Sequence, residues 1–289
     1  MEIAIISGKG GTGKSSVCAA FATLCEKAVL VDCDVEAANM HTLFNPEIET
    51  EEVYVGAQTA VIDEHLCTNC GVCFTHCRFD AIKWVHQRVV IEEVFCDGCR
   101  LCERVCPQRA IRMVKSDQSR LYTGKYRFGD MVFGILGPGE ENSGKLVNRV
   151  REKAKEVARS KQLETILMDG PPGIGCPAIS TITGVDRVVV VTEPTLSGLH
   201  DLERSIQIIA NFSLSVQVII NKYDINQAIS AEIEAYCDRE DIEIVAKLPF
   251  DKRFVEAMVA CKSIIEFAND SAITSQISAA FHHVMHHGT

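Results

Sequence analysis

The sequence predicts an α/β fold: a doubly wound, mostly parallel sheet with a small α+β domain inserted into it. Three observations predict it. Short, continuously apolar runs alternate with helix-like stretches along most of the 289 residues. A glycine-rich loop joins the first strand to the first helix. Residues of about 58–116 break this rhythm with a cysteine-dense internal repeat.

Taken in order, "IAIIS" reads as the first strand, and an apolar-periodic helix runs from Ser15 to about Lys27. "AVLVD" is the second strand. After the cysteine region come "DMVFGIL", a charged helix at about Ser143–Lys161, "TILMD" and "RVVVVTEP". A helix near Leu199–Asn211, "VQVIIN", a helix near Ala228–Arg239 and "IVAKLPF" follow. Strands apolar at every position suit a parallel sheet buried on both faces. The expected division is a discontinuous domain, 1–57 with 117–289, and an inserted domain, 58–116.

Composition narrows the function classes. A net charge of −10 argues against a nucleic-acid partner. The longest apolar runs, such as Val188–Val191, are far shorter than a membrane span. The N-terminus passes directly into a strand without the pattern of a signal peptide. Eight of the fourteen cysteines fall in two metal-type clusters rather than in a disulfide framework. Together these predict a cytoplasmic protein without a membrane anchor.

Gly8-Lys9-Gly10-Gly11-Thr12-Gly13-Lys14-Ser15 fits GxxxxGK[ST] at every fixed position, with a strand before it and a helix after it. Gly8, Gly10, Gly11, Thr12 and Gly13 let backbone N–H groups turn inward around phosphates, with Ser16 next along the helix. Lys14 reaches the β- and γ-phosphates, and the Ser15 hydroxyl is a Mg²⁺ ligand. The helix N-terminus favours the anion. The segment 139–145 also reads GxxxxGK, but Leu146 replaces the hydroxyl and Glu140 and Glu141 would face the phosphates. It is read as a loop with a helix N-cap.

The inserted segment repeats itself: "IDEHLCTNCGVCFTHCRFDAIKWV" matches "IEEVFCDGCRLCERVCPQRAIRMV" at an offset of 29 residues, as counted on the sequence. Cys67, Cys70, Cys73 and Cys77 have the spacing of a bacterial two-cluster ferredoxin, as do Cys96, Cys99, Cys102 and Cys106, followed by Pro107. The fourth cysteine of each run then caps the other cluster. One [4Fe–4S] site is expected on Cys67, Cys70, Cys73 and Cys106, the second on Cys96, Cys99, Cys102 and Cys77. Zinc is the rival, but two tandem CxxCxxCxxxC runs are more specific than CxxC pairs. Clusters acting as fold staples are compatible with either role. Arg78 stands where the second run has Pro107 and places a positive charge near cluster two.

With Lys9 preceding the glycines, "KGGTGKS" resembles the deviant phosphate loop of the MinD/ParA/nitrogenase-iron-protein superfamily of P-loop NTPases. "VLVDCDVEAANM" is similar to its switch I and "TILMDGPPGIGCP" to its Walker B strand and switch II. The resemblance implies that Lys9 reaches the partner's nucleotide in an ATP-dependent homodimer. It implies that Asp34 orients the attacking water, that Asp32 and Asp169 support Mg²⁺, and that the Gly173 N–H meets the γ-phosphate. It makes Asn221 a contact for the adenine edge, and Pro249 to Asp251 a base-lining loop. The implied catalytic set is Lys9, Lys14, Asp34 and Asp169, and the cofactors are ATP/ADP, Mg²⁺ and the two clusters.

The whole resembles MinD-superfamily ATPases carrying an inserted ferredoxin domain. The expected function is ATP hydrolysis coupled to electron transfer through the clusters to an unidentified redox or apo-protein partner. The alternatives are a cluster carrier or assembly ATPase, and a positioning ATPase with structural clusters. Cys176 lacks the upstream second cysteine that a nitrogenase-type bridging cluster needs, and is read as a small buried thiol. Cys18, Cys25, Cys33, Cys237 and Cys261 are read as core residues, Trp84 as packing within the insert. His282, His283, His286 and His287 are read as a frayed polar tail.

Overall fold

The computed structural model describes residues 1–56, 58–140 and 142–286. Position 57, at the expected domain boundary, Glu141 and His287 lie outside the described residues. The chain opens with β1 (Glu2–Ser7), α1 (Lys14–Leu24), β2 (Ala28–Asp32), α2 (Met40–Phe44) and β3 (Glu47–Tyr54). Residues 58–116 contain β4 (Gln58–Ile62), α3 (Val72–His76), β5 (Ile82–Val85), β6 (Arg88–Ile91), α4 (Leu101–Val105) and β7 (Ile111–Lys115). Then come β8 (Ser119–Tyr126), β9 (Gly129–Ile135), α5 (Ser143–Lys161), β10 (Thr165–Pro172), α6 (Cys176–Ile182), β11 (Arg187–Thr192) and α7 (Leu196–Ile209). The chain continues through β12 (Ser215–Asn221), α8 (Gln227–Arg239), β13 (Glu243–Leu248), α9 (Arg253–Val259), α10 (Ile264–Phe267) and α11 (Ala272–His286).

The large sheet has the order β13-β12-β11-β1-β10-β2-β9-β8-β3. From β13 to β9 every pairing is parallel. The sheet is then extended by β8 and β3 in antiparallel pairing. Successive residues of β1 enter opposite cores: Ile3 and Ile5 pack with Phe21, Leu30 and Phe281, while Ala4 and Ile6 pack with Val31, Leu146 and Leu202. Both faces are therefore covered, which is why the strands read as unbroken apolar runs. The antiparallel edge was not among the strands predicted. "EIETEEVY" of β3 leaves most of its side chains exposed, so burial imposed no apolar pattern there.

Within residues 58–116, β4 pairs with β7 and β5 with β6, each as a separate antiparallel ladder. The apolar core is small: Ala60, Ile82, Val89 and Ile111 with the Cys73 thiol, and Cys77, Cys96, Cys102 and Cys106 packed against it. So few apolar side chains supply little stability without a staple. Trp84 is half-exposed and rests edge-on to Phe74, ring centroids 6.5 Å apart, over Gly71.

Both ends of this segment are tied to the turn between β9 and α5. The Glu140 carboxylate accepts from the Ser116 and Ser119 hydroxyls and from the Gln118 amide at 3.0 Å. Asn142 Nδ2 donates to the Gly56 carbonyl at 3.2 Å instead of capping its own helix. Gly139, at φ +72°, lies so close to Val94 that a Cβ there would stand 2.5 Å from its carbonyl oxygen. Burial alone would raise the Glu140 carboxyl, but the three donors outweigh it and hold it below the usual range. Its contribution is thus present above the ordinary glutamate pKa and lost as pH falls through the lower folded value. Glu140→Ala should loosen this joint by roughly 2–4 kcal/mol. Hydrogen-exchange protection at residues 116–119, corrected for the intrinsic rate at each pH, should be as low in the variant at pH 7 as in the wild type in acid.

Three expectations from sequence need correction. Cys176 and Cys261 are exposed, not buried: Cys176 opens α6 at the mouth of a surface cavity, and Cys261 sits in a left-handed turn at φ +52°. The C-terminal tail is helical through His286, because Ile273, Ile277, Phe281 and Val284 bury one stripe of α11. His282 and His286 stack with centroids 6.3 Å apart, and His283 Nε2 lies 2.5 Å from Glu243. Cys18, Cys25, Cys33 and Cys237 are buried.

Candidate functional site

The loop between β1 and α1 opens on a cavity of about 380 Å³, lined by Gly10, Gly11, Thr12, Gly13, Lys14, Ser15, Ser16, Asp34 and Asn221 among others. Gly13, at φ +91°, lets the loop turn into the helix, and a Cβ there would stand 2.3 Å from Asn221 Nδ2. Gly8 lies against α7, where a Cβ would stand 2.5 Å from that of Asp201.

The charged centre is buried and compact. Lys14 Nζ lies 2.7 Å from Asp169 Oδ1, and the Ser15 hydroxyl donates to Asp169 Oδ2 at 2.7 Å. Burial opposes the Lys14 charge, but Asp169 and Asp32 outweigh it and hold the ammonium above its usual range. Asp32 is pushed up to about 7 by burial first and by the neighbouring Asp169 charge second. Its oxygens accept from the amides of Asp34, Asn39 and Met40, each at 3.0 Å. Asp32 therefore shapes the β2–α2 loop and positions Asp34. Burial raises the Asp34 carboxyl too, against the pull of Lys14.

The pocket suits a phosphate and a divalent cation. Thr12 Oγ1 is buried and has no hydrogen-bond partner among the described residues. An anion's oxygen would satisfy that donor. The Ser15 hydroxyl with the carboxylates of Asp169 and Asp32 is an all-oxygen donor set of the kind Mg²⁺ takes.

Other residues singled out on the sequence are occupied differently. Gly173 N donates to the Ser7 carbonyl at 2.8 Å, so this amide points at β1 rather than into the pocket. Asn221 Nδ2 donates to the Thr12 carbonyl at 2.8 Å and its Oδ1 accepts from Lys222 N at 3.0 Å. The Nδ2 end of that amide thus braces the phosphate loop. Pro249 is half-buried, and the Asp251 carboxylate is gripped by Arg253. Lys9 leans away from the cavity onto Glu193 at 2.7 Å. Burial would raise the Glu193 carboxyl, but Lys222 and Lys9 hold it below the usual range.

Phe250 and Asp251 of the expected base-lining loop line the cavity, and Phe254, Val255 and Met258, which the sequence reading missed, extend it as an apolar wall. Phe250, Val255 and Met258 are exposed. A planar heterocycle would cover them. The signal was available, since "RFVEAMV" carries more apolar positions than one buried helix face needs.

The eight clustered cysteines divide between two cavities. Cys67, Cys70, Cys73 and Cys106 line one, with Gly71 and Pro107. Cys77, Cys96, Cys99 and Cys102 line the other, with Phe79 and Arg100. Among the described residues no three His, Cys, Asp or Glu side chains are gathered around a point as for one metal ion. Backbone amides point at the sulfurs: Ala60 N to Cys96 at 3.5 Å, Asn69 N to Cys67 at 3.4 Å, Ala110 N to Cys106 at 3.3 Å. Burial pushes the Cys102 thiol up to about 11 and raises Cys73, each against backbone donors and with neighbouring thiolates adding to the rise. Four such thiolates in one cavity repel each other unless positive charge sits between them. Four cysteines lining one cavity, with amides donating to sulfur, are a donor set of the chemistry a multi-iron group takes, since its irons bind one thiolate each.

Among the described residues no helix is long and apolar enough to cross a membrane. The CobQ/CobB/MinD/ParA nucleotide binding domain matches residues 3–263. The uncharacterized protein MJ0578 of Methanocaldococcus jannaschii is 38% identical over 231 residues, covering 78% of this chain and 79% of that one. The septum site-determining protein MinD of Thermotoga maritima is 23% identical over 268 residues, covering 88% and 77%. Among solved structures, MinD of Pyrococcus horikoshii, complexed with Mg-ADP, superposes with a TM-score of 0.59 at 18% identity, covering 98% of this chain and 95% of that one.

Proposed function

The chain belongs to the CobQ/CobB/MinD/ParA nucleotide-binding family, and from that premise we propose that it is a dimerising ATPase whose nucleotide state controls electron flow through two [4Fe–4S] clusters. In this reading residues 58–116 form an inserted ferredoxin-type domain. Cys67, Cys70, Cys73 and Cys106 hold one cluster, and Cys96, Cys99, Cys102 and Cys77 hold the other. The clusters supply one-electron chemistry when bound.

The ATPase half rests on the buried Lys14–Asp169–Ser15 centre. Nucleotide draws Lys14 off Asp169 onto the β- and γ-phosphates, and Thr12 gains the acceptor it lacks. The Ser15 hydroxyl and the Asp169 carboxylate, freed from Lys14, hold the cation with Asp32 behind them. Mg²⁺ supplies charge neutralisation of the phosphates when bound. Asp34, with its carboxyl raised by burial, is placed to orient water and accept its proton. Lys9 acts on the nucleotide of the second subunit. The apolar wall of Phe250, Phe254, Val255 and Met258 takes the base in place of Asn221.

One observation carries the coupling. Leu136, Glu140 and Asn142 touch the β2–α2 loop and both ends of the insert: Leu136 N donates to the Val35 carbonyl at 2.8 Å, Glu140 grips Ser116 to Ser119, and Asn142 reaches Gly56. A shift of Val35, next to Asp34, is thereby passed to the cysteine-bearing segment by direct bonds. Such a contact transmits only what the two nucleotide states do differently at Val35.

The test is redox kinetics with an iron count. Anaerobic protein reduced by dithionite is oxidised by viologen dyes of graded potential in the presence of ADP or a non-hydrolysable ATP analogue. The expected result is a rate or midpoint that differs between nucleotides while iron stays bound. Identical rates and midpoints would end the gating idea. They would favour a second reading that the MinD likeness supports, a positioning ATPase in which the clusters staple the insert. Iron appearing in an added apo-protein would indicate a cluster carrier instead.

A further inference from the structure

We propose that Glu193 is a positioning residue that locks Lys9 onto its own subunit and must release it before two subunits can close around nucleotide. The inference rests on the reading that Lys9 acts across the dimer. Lys9 Nζ lies 2.7 Å from Glu193 Oε1, 2.9 Å from Thr195 Oγ1 and 3.0 Å from Ser197 Oγ. An ammonium has three donors, and these three acceptors use them all. The other Glu193 oxygen takes Lys222 Nζ at 2.8 Å, which also donates to the Gly11 carbonyl at 2.9 Å.

The three acceptors stand on a rigid corner where β11 ends and α7 begins. The Thr195 hydroxyl accepts from Gly198 N at 3.0 Å and caps the helix. Asp201, one turn further on, presses against Gly8. The corner and the phosphate loop are therefore packed together, and the acceptors cannot follow Lys9 if it leaves. A lysine held in this way cannot at the same time reach a second subunit. Dimerisation must exchange the contacts with Glu193, Thr195 and Ser197 for contacts with the partner's nucleotide. Glu193 then retains Lys222 as its counter-charge, so release does not strand a buried carboxylate.

Glu193→Gln keeps the shape and an acceptor while removing the charge. The partly exposed pair should weaken enough to shift the ATP concentration for half-maximal dimerisation down by roughly 3- to 10-fold, read by sedimentation velocity. Ser197→Ala removes one acceptor from an exposed position and should shift it the same way by less. Binding of ADP to the monomer should not change in either variant. In a Lys9→Ala background, Glu193→Gln should have no further effect. A Glu193→Gln protein that dimerises as wild type does, while Lys9→Ala blocks dimerisation, would overturn the lock and leave the Lys9 reading standing. Weakened ADP binding in Glu193→Gln would also overturn it, because the residue would then act through Lys222 as a brace of the phosphate loop. Lys9→Ala protein that dimerises normally with ATP would overturn the underlying reading itself.

Discussion

Replacing Lys14 with alanine is expected to abolish measurable ATP binding, a loss of roughly 100-fold or more in titration with a fluorescent nucleotide. The side chain is the buried cation nearest Asp169 and Asp32. Without it the phosphates meet those carboxylates with no compensating charge, in a site where burial strengthens repulsion. The nucleotide-free protein should suffer too. Asp169 is fully buried and, among the described residues, would keep only the Ser15 hydroxyl as a side-chain partner. Breaking a buried pair by removing one partner costs roughly 3–5 kcal/mol. Thermal unfolding of the variant checks this, and a variant that binds ATP normally would contradict the assignment.

The second large effect concerns the crossing cysteines. Cys77→Ala is expected to remove the same spectral component as Cys99→Ala, and iron should fall from about eight to about four per chain. Cys106→Ala should remove the component lost in Cys70→Ala. The prediction follows from the two cavities, since Cys77 shares its cavity with Cys99 and Cys106 shares its with Cys70. Low-temperature electron paramagnetic resonance of the reduced variants would distinguish the pairs. If Cys77→Ala instead resembled Cys70→Ala, each run would hold its own cluster.

Much of this architecture was legible because burial writes a pattern. Strands covered on both faces carry continuous apolar runs: Ile3–Ile6 in β1, Ile166–Met168 in β10, Val188–Val191 in β11 and Val218–Ile220 in β12. The phosphate loop was legible because glycine at φ +91° and a lysine at one fixed place are geometric necessities. What escaped notice lay where burial imposes nothing. β3 is an exposed edge strand, and its charged residues form no apolar run to mark it. Cys176 was misread because composition says thiols are usually inside, whereas its position at the start of α6 is set by the turn after β10. The Ser7 and Thr12 carbonyls that the Gly173 and Asn221 amides meet are distant in sequence, and only three-dimensional neighbours reveal them. The apolar wall on α9 stayed hidden because a surplus of hydrophobic residues on a short helix has several ordinary explanations.

The strand order has a consequence for the making of the protein. β1 finds its neighbours in β10 and β11, and β2 in β9 and β10. Among the described residues the strands within 58–116 pair only among themselves, β4 with β7 and β5 with β6. On the ribosome, therefore, the cysteine-bearing segment emerges complete while the first two strands of the sheet still lack every partner. If its cysteines hold clusters as proposed, those clusters can form before a nucleotide site exists, and a shortage of iron would be met by a nascent chain whose central sheet is not yet closed.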